Sequence, residues 1–69
     1  MRKLAVYDFD KQKEVFAITL THDQTAKAIA QALEELRELA SGHGIDGWIN
    51  EYDLAWSKTQ CVNKHLIDF

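Results

Sequence analysis

Two pairs of residues in this chain have the types and the spacing that catalysis could use. Asp8 and Asp10 stand two apart directly after an apolar run, and such carboxylates can serve as nucleophile and general acid/base in phosphoryl transfer. Cys61 stands four residues before His65, so the two side chains would share a face of a strand or of a helix. A thiolate–imidazolium pair would support thiol chemistry. These two pairs define an enzyme hypothesis.

The run Leu-Ala-Val-Tyr-Asp8-Phe-Asp10 resembles the opening of haloacid-dehalogenase-type phosphotransferases. The resemblance implies that Asp8 attacks phosphorus, that Asp10 is the general acid/base and that Mg²⁺ binds alongside. It also implies a parallel sheet with long crossovers, for which 69 residues are too few. Gln12 stands where the family usually has Thr or Val. We therefore predict that the aspartates end a hairpin strand.

The remaining sequence favours a protein that is not an enzyme and has no cofactor. Cys61 is not accompanied by a glycine that could form an oxyanion hole. No Asn or Asp stands where it would be expected to orient the imidazole of His65. His22, His43 and Cys61 lack the spacing of zinc ligands. The three glycines cluster at residues 42–47, where turning and capping explain them, and form no phosphate-binding loop.

The charge of the chain narrows the possible functions further. The chain carries eight basic and eleven acidic residues, a net charge of −3, and its bases are scattered. Direct nucleic-acid binding requires a basic stripe, so the acidic balance favours a protein partner with a basic surface. A nucleic-acid-binding regulator stays open as the alternative, and it would use basic residues near the hairpin, namely Arg2, Lys3, Lys11 and Lys13.

The lone Cys61 excludes an internal disulfide framework and fits a reducing compartment. Asp8 and Asp10 interrupt the N-terminal apolar run before it reaches the length of a signal peptide. No segment approaches the roughly 20 apolar residues of a membrane span. We expect a soluble cytoplasmic protein with no membrane contact.

One amphipathic helix is predicted over residues 21–41, and the segments that carry the candidate catalytic residues should pack against it. Ile29, Leu33 and Leu36 recur with the spacing of one helical face. Thr21 and Gln24 fit a capping box at the start, with Asp23 as the competing N-cap residue, and Ser41-Gly42 provides the stop.

Strands are expected on both sides of this helix. Residues 3–20 predict a hairpin of two β-prone runs joined by a short polar link. In residues 47–69, Trp48, Tyr52 and Trp56 alternate as in a strand, but they also fit a helix over residues 46–58. We predict a single α+β domain over residues 1–69, an antiparallel sheet on one long helix in the order ββαββ, with ββααβ as the alternative.

The function that these features favour is a small acidic protein-binding module, an adaptor or an inhibitor that acts by surface occlusion. A more specific form is an inhibitor of host defence from a phage or mobile element, similar to anti-CRISPR proteins. An uncovered sheet face could also serve for homodimerisation. For Trp48, Tyr52 and Trp56 the favoured interpretation is a place in the core, because a small domain needs large side chains to bury area, and any that stay exposed would suit a protein-binding hot spot. The predicted partner-binding residues are Glu34, Glu35, Glu38, Glu51, Asp53, Trp48 and Trp56.

Overall fold

The computed structural model describes residues 1–55 and 58–67. Its elements are, in chain order, β1 (Arg2–Asp8), β2 (Lys13–Leu20), α1 (Ala26–Gly42), β3 (Gly47–Ala55) and β4 (Lys58–Leu66). The strands form a four-stranded antiparallel sheet in the order β2-β1-β3-β4. The predicted α+β fold with the order ββαββ is confirmed. The alternative that placed a helix over residues 46–58 is wrong, because residues 47–55 form β3.

The position of β3 in the sheet explains why its sequence also fitted a helix. This strand lies between β1 and β4, and it has apolar side chains that pack against neighbouring residues on both of its faces. Ile49 is fully buried towards α1, whereas its neighbour Trp48 lies half-buried on the other face. Apolar residues on both faces weaken the alternation that normally identifies a strand.

The hydrophobic core lies between the sheet and one side of α1. Leu4 and Val6 of β1 contribute fully buried side chains, and Leu33 and Leu36 of α1 pack against this cluster. The rest of the buried cluster consists of Ala32, Ala40, Ile45 and Ile49. The helix α1 contacts mainly β1 and β2, so it lies over that half of the sheet. Among the described residues, no helix combines the length and apolarity needed to cross a membrane.

The helix begins later than predicted. Thr25 is the N-cap residue, and its hydroxyl accepts a hydrogen bond from the Ala28 N–H at 3.2 Å. The Asp23 carboxylate accepts from the Thr25 N–H at 3.1 Å, which forms a turn before the helix. The capping box at Thr21 and Gln24 is therefore wrong, since a second threonine directly before the apolar stripe satisfies the first turn.

The helix ends in a Schellman motif centred on a different glycine from the predicted one. Gly42 is still helical, and Gly44 has the left-handed φ of 65°. The Ile45 N–H donates to the Ala40 carbonyl at 2.9 Å and the Gly44 N–H donates to the Ser41 carbonyl at 3.1 Å. Ile45 then packs into the core, so the motif both ends the helix and directs the chain towards β3.

Gly47 starts β3 at a point where two backbones come very close. A Cβ atom on Gly47 would lie 1.7 Å from the Tyr7 carbonyl oxygen, which is backbone and has little room to move. A Cβ atom on Gly42 would have no atom within 4 Å. The sheet therefore requires glycine at the first of these positions and not at the second.

We predict that Gly47→Ala destabilises the fold by about 3 kcal/mol or more, because β1 and β3 must separate to admit the methyl group. The matched control Gly42→Ala should leave stability unchanged or raise it, since alanine favours the helix. Thermal unfolding of the two variants measures the difference. Equal stabilities would contradict the close approach of β1 and β3.

Two leucines of α1 provide a second comparison. Leu36 is fully buried, whereas Leu39 is 41% exposed. We expect Leu36→Ala to lower the free energy of unfolding by about 2–5 kcal/mol, the usual cost of a cavity in a core. Leu39→Ala should cost less than about 1 kcal/mol. Equilibrium urea denaturation tests both, and a similar loss at the two positions would mean that α1 packs through a different stripe.

Candidate functional site

The sheet has two faces, and α1 covers only one of them. Residues 1–55 and 58–67 place no element over the opposite face, which we call the open face. Each strand contributes side chains to it, because neighbours in register point to the same side. The open face contains Lys3, Tyr7, Glu14, Trp48, Asn50, Tyr52, Cys61 and Lys64.

Three aromatic rings form a compact cluster at one end of the open face. Tyr7 of β1 and Trp48 of β3 are partners in register, and their rings stack with centroids 5.0 Å apart and planes 15° apart. Phe9 meets Trp48 edge to face at 4.7 Å, although its side chain is still 44% exposed. We call these three residues the aromatic cluster. Its geometry matches the arrangements that aromatic pairs prefer.

A chain of hydrogen bonds fixes the side chains beside this cluster. The Trp48 indole N–H donates to Asn50 Oδ1 at 2.8 Å, and Asn50 Nδ2 donates to Glu14 Oε2 at 3.3 Å. The Tyr52 hydroxyl donates to the same carboxylate oxygen. Asn50 is only 7% exposed, so these bonds satisfy a buried amide that would otherwise be costly.

The hydrogen bond to Glu14 changes the acidity of Tyr52. This bond stabilises the neutral phenol, partial burial disfavours the phenolate, and the nearby carboxylate repels it. Together these effects raise the pKa of Tyr52 to about 12 from its usual 10.0. The Tyr52 hydroxyl therefore stays protonated to a higher pH than an ordinary tyrosine.

Two lysines lie over aromatic rings of the open face. Lys64 Nζ is 4.8 Å from the centroid of the Trp48 ring, and Lys3 Nζ is 5.9 Å from that of Tyr52. Both distances fall in the range of cation–π attraction. The face thus combines apolar rings with two ammonium groups.

The structure separates the predicted partner-binding residues into different regions. Glu34, Glu35 and Glu38 are exposed on α1, on the side of the molecule opposite the open face. Trp48 lies in the aromatic cluster and not in the core that α1 covers. The prediction for Trp56 lies outside the described residues.

Glu51 and Asp53 form a third region, on the helix side of the sheet. Glu51 is 5% exposed, and its two oxygens contact Arg2 Nη1 and His65 Nε2, each at 2.9 Å. Asp53 is half-buried and pairs in register with Arg2. The Glu51 carboxylate is therefore engaged within the fold and is not presented on the surface.

Asp8 has a structural role in the β1–β2 turn. It is 5% exposed, and Oδ1 accepts hydrogen bonds from the backbone N–H groups of Asp10 at 2.9 Å and Lys11 at 3.4 Å. The turn closes with Gln12 at a φ of 55°. The antiparallel pairings also differ from the parallel sheet that the phosphotransferase resemblance implies.

Cys61 and His65 lie on opposite faces of the sheet, so the prediction that they share a face is wrong. Tyr52 pairs with Cys61 while Glu51 pairs with Asn63, which leaves Val62 as the extra residue of a β-bulge. One inserted residue reverses the side to which all later side chains point. Within the described chain, no group of three His, Cys, Asp or Glu residues could hold a metal ion.

Several residues of the open face were not among the predicted site residues. Tyr7, Glu14, Asn50 and Lys64 come from four different strands, so no local motif joins them. The single signal available was Asn50, a polar residue that interrupts an alternating aromatic pattern in a central strand. A polar residue at such a position needs partners, and here they are Trp48 and Glu14.

Comparison of the chain with protein-family models, with curated proteins and with solved structures finds no match. The geometry of the open face is therefore the main indication of function.

We predict that Glu14→Gln lowers the pKa of Tyr52 towards its usual 10.0, because a neutral amide accepts a weaker hydrogen bond from the hydroxyl and no longer repels the phenolate. In the native protein the raised pKa favours the folded state fully below pH 10, and this stabilisation is lost as the pH rises from 10 to about 12. A pH titration of tyrosinate absorbance measures the pKa, and Tyr52→Phe identifies the transition. An unchanged high pKa in Glu14→Gln would contradict the assigned cause.

Proposed function

We propose that this chain is a non-enzymatic protein-binding module and that its open face is the contact surface. The module acts by covering part of the partner's surface, as an adaptor or an inhibitor does. The observation that carries the proposal is the aromatic cluster, which stands outside the core on a face that the described chain leaves uncovered. Tryptophan and tyrosine are the residues most enriched where binding energy concentrates in protein interfaces.

The order of this surface in the free protein supports the proposal. The Trp48 ring is held by the Tyr7 ring on one side, and its indole N–H is bonded to Asn50. Side chains that are already fixed lose little conformational entropy on binding, so more of the contact energy appears as affinity. Phe9 extends the apolar surface outward, because its ring is 44% exposed.

Binding by occlusion also agrees with the roles of the candidate catalytic groups. Asp8 closes a turn, and Cys61 and His65 lie on opposite faces. The more specific proposal, an inhibitor of host defence encoded by a phage or mobile element, is supported by small size and acidic balance alone. The acidic row of α1, Glu34, Glu35 and Glu38, is the competing contact surface on the other side of the molecule.

We predict that Trp48→Ala weakens partner binding by about 2 kcal/mol or more, roughly 30-fold, because it removes the centre of the aromatic cluster. Phe9→Ala should weaken binding less, since its ring lies at the edge. The immobilised 69-residue chain is exposed to a lysate of its native host, and retained proteins are quantified by mass spectrometry for each variant. Circular dichroism verifies that the variants are folded.

The matched control reverses charge on the other side of the molecule, with Glu34→Lys, Glu35→Lys and Glu38→Lys combined. Proteins that depend on the open face should be retained by this triple variant and lost from Trp48→Ala. The opposite pattern would contradict the proposal and would assign binding to the acidic row of α1.

A further inference from the structure

The open face differs in charge from the rest of this acidic protein. It carries the ammonium groups of Lys3 and Lys64 and the carboxylate of Glu14. Glu14 Oε2 already accepts hydrogen bonds from Tyr52 and Asn50. The ion pairs within 4.0 Å among the described residues both involve Glu51, so neither lysine has such a partner there.

The two lysines are also held where a partner would meet them. Lys64 lies above Trp48 in the aromatic cluster, and Lys3 lies above Tyr52 further along β3. A cation above a ring stays beside the apolar surface, in contrast to a lysine that extends freely into water. An acidic group of a partner that packs on the rings would therefore be adjacent to an ammonium group.

We infer that the partner presents an acidic protein segment whose apolar side chains pack on the aromatic cluster and whose carboxylates pair with Lys3 and Lys64. This inference rests on the proposed function and identifies the chemistry of the partner. It differs from the basic partner that the net charge of −3 suggests, because the charge of the contact face is opposite to that of the whole chain.

A single-stranded nucleic acid is the other anionic polymer that an open sheet with aromatic rings could bind. Successive bases stack on several free ring faces, and among the described rings of this surface Phe9 alone is exposed. The ring of Trp48 is stacked on Tyr7, and Lys64 lies over it as well, while Lys3 lies over Tyr52. Among the residues whose side chains the structure describes, Lys3 and Lys64 are the lysines on this surface, and the net charge of −3 opposes a polyanion. These observations favour the protein segment.

The test is an NMR titration of the full chain, labelled with ¹⁵N, with three probes of matched length. The first is a synthetic peptide in which acidic residues alternate with leucine and phenylalanine. The second replaces each acidic residue with its amide, and the third is oligothymidylate. We expect the acidic peptide to shift the Trp48 indole resonance and to bind about tenfold more tightly than the amide peptide, with a difference that shrinks as salt rises.

Variants then locate the charge effect. Lys3→Gln combined with Lys64→Gln should remove most of the difference in affinity between the acidic peptide and the amide peptide. The control, Lys11→Gln combined with Lys13→Gln, changes net charge equally at exposed positions near the β1–β2 turn and should preserve the difference. If the two double variants behave alike, the inference is overturned, because net charge and not the open face then determines the preference.

The remaining outcomes distinguish the inference from the proposed function. Equal binding of the acidic and amide peptides, with shifts at Trp48, overturns the acidic partner but supports the open face as a protein-binding surface. Tighter binding of oligothymidylate than of either peptide overturns the inference in favour of a nucleic acid. Failure of all three probes to shift Trp48 also overturns it, while the lysate experiment with Trp48→Ala still decides the proposed function.

Discussion

The packing of Leu33 and Leu36 against Leu4 and Val6 determines the organisation of the whole molecule. A single helix can bury only one side of a four-stranded sheet, and α1 lies mainly over β1 and β2. The core must therefore be built on that side, which is where the fully buried large side chains are found. The other side has to reach a stable arrangement without a covering layer.

The open face meets this requirement with a polar network and not with a second core. Asn50 lies at the centre of the sheet and joins the indole of Trp48 to the carboxylate of Glu14, so no member of the network lacks a partner. Asn50, the residue that joins these bonds, is only 7% exposed. A surface organised in this way is rigid without being buried, which is the combination that a binding surface needs.

The sequence allowed the fold class to be predicted, but little of the candidate site. The spacing of Leu33 and Leu36 identifies α1 regardless of distant contacts, and β1 with β2 follows from local alternation. The helix start was misplaced because Thr21 and Thr25 both fit an N-cap, and the structure uses Thr25. The bulge at Val62 has no local signal, so the separation of Cys61 from His65 could not be foreseen.

Strand order has one more effect, which concerns fragments of the chain. Tyr7 belongs to β1 and Trp48 to β3, and these strands become neighbours only after the chain has returned through α1. An N-terminal piece containing the hairpin and the helix would hold Tyr7 but none of the rings or amides of β3. The contact surface therefore forms only when β1 and β3 pair, which requires closing the long connection through α1. No linear peptide from this sequence can reproduce it.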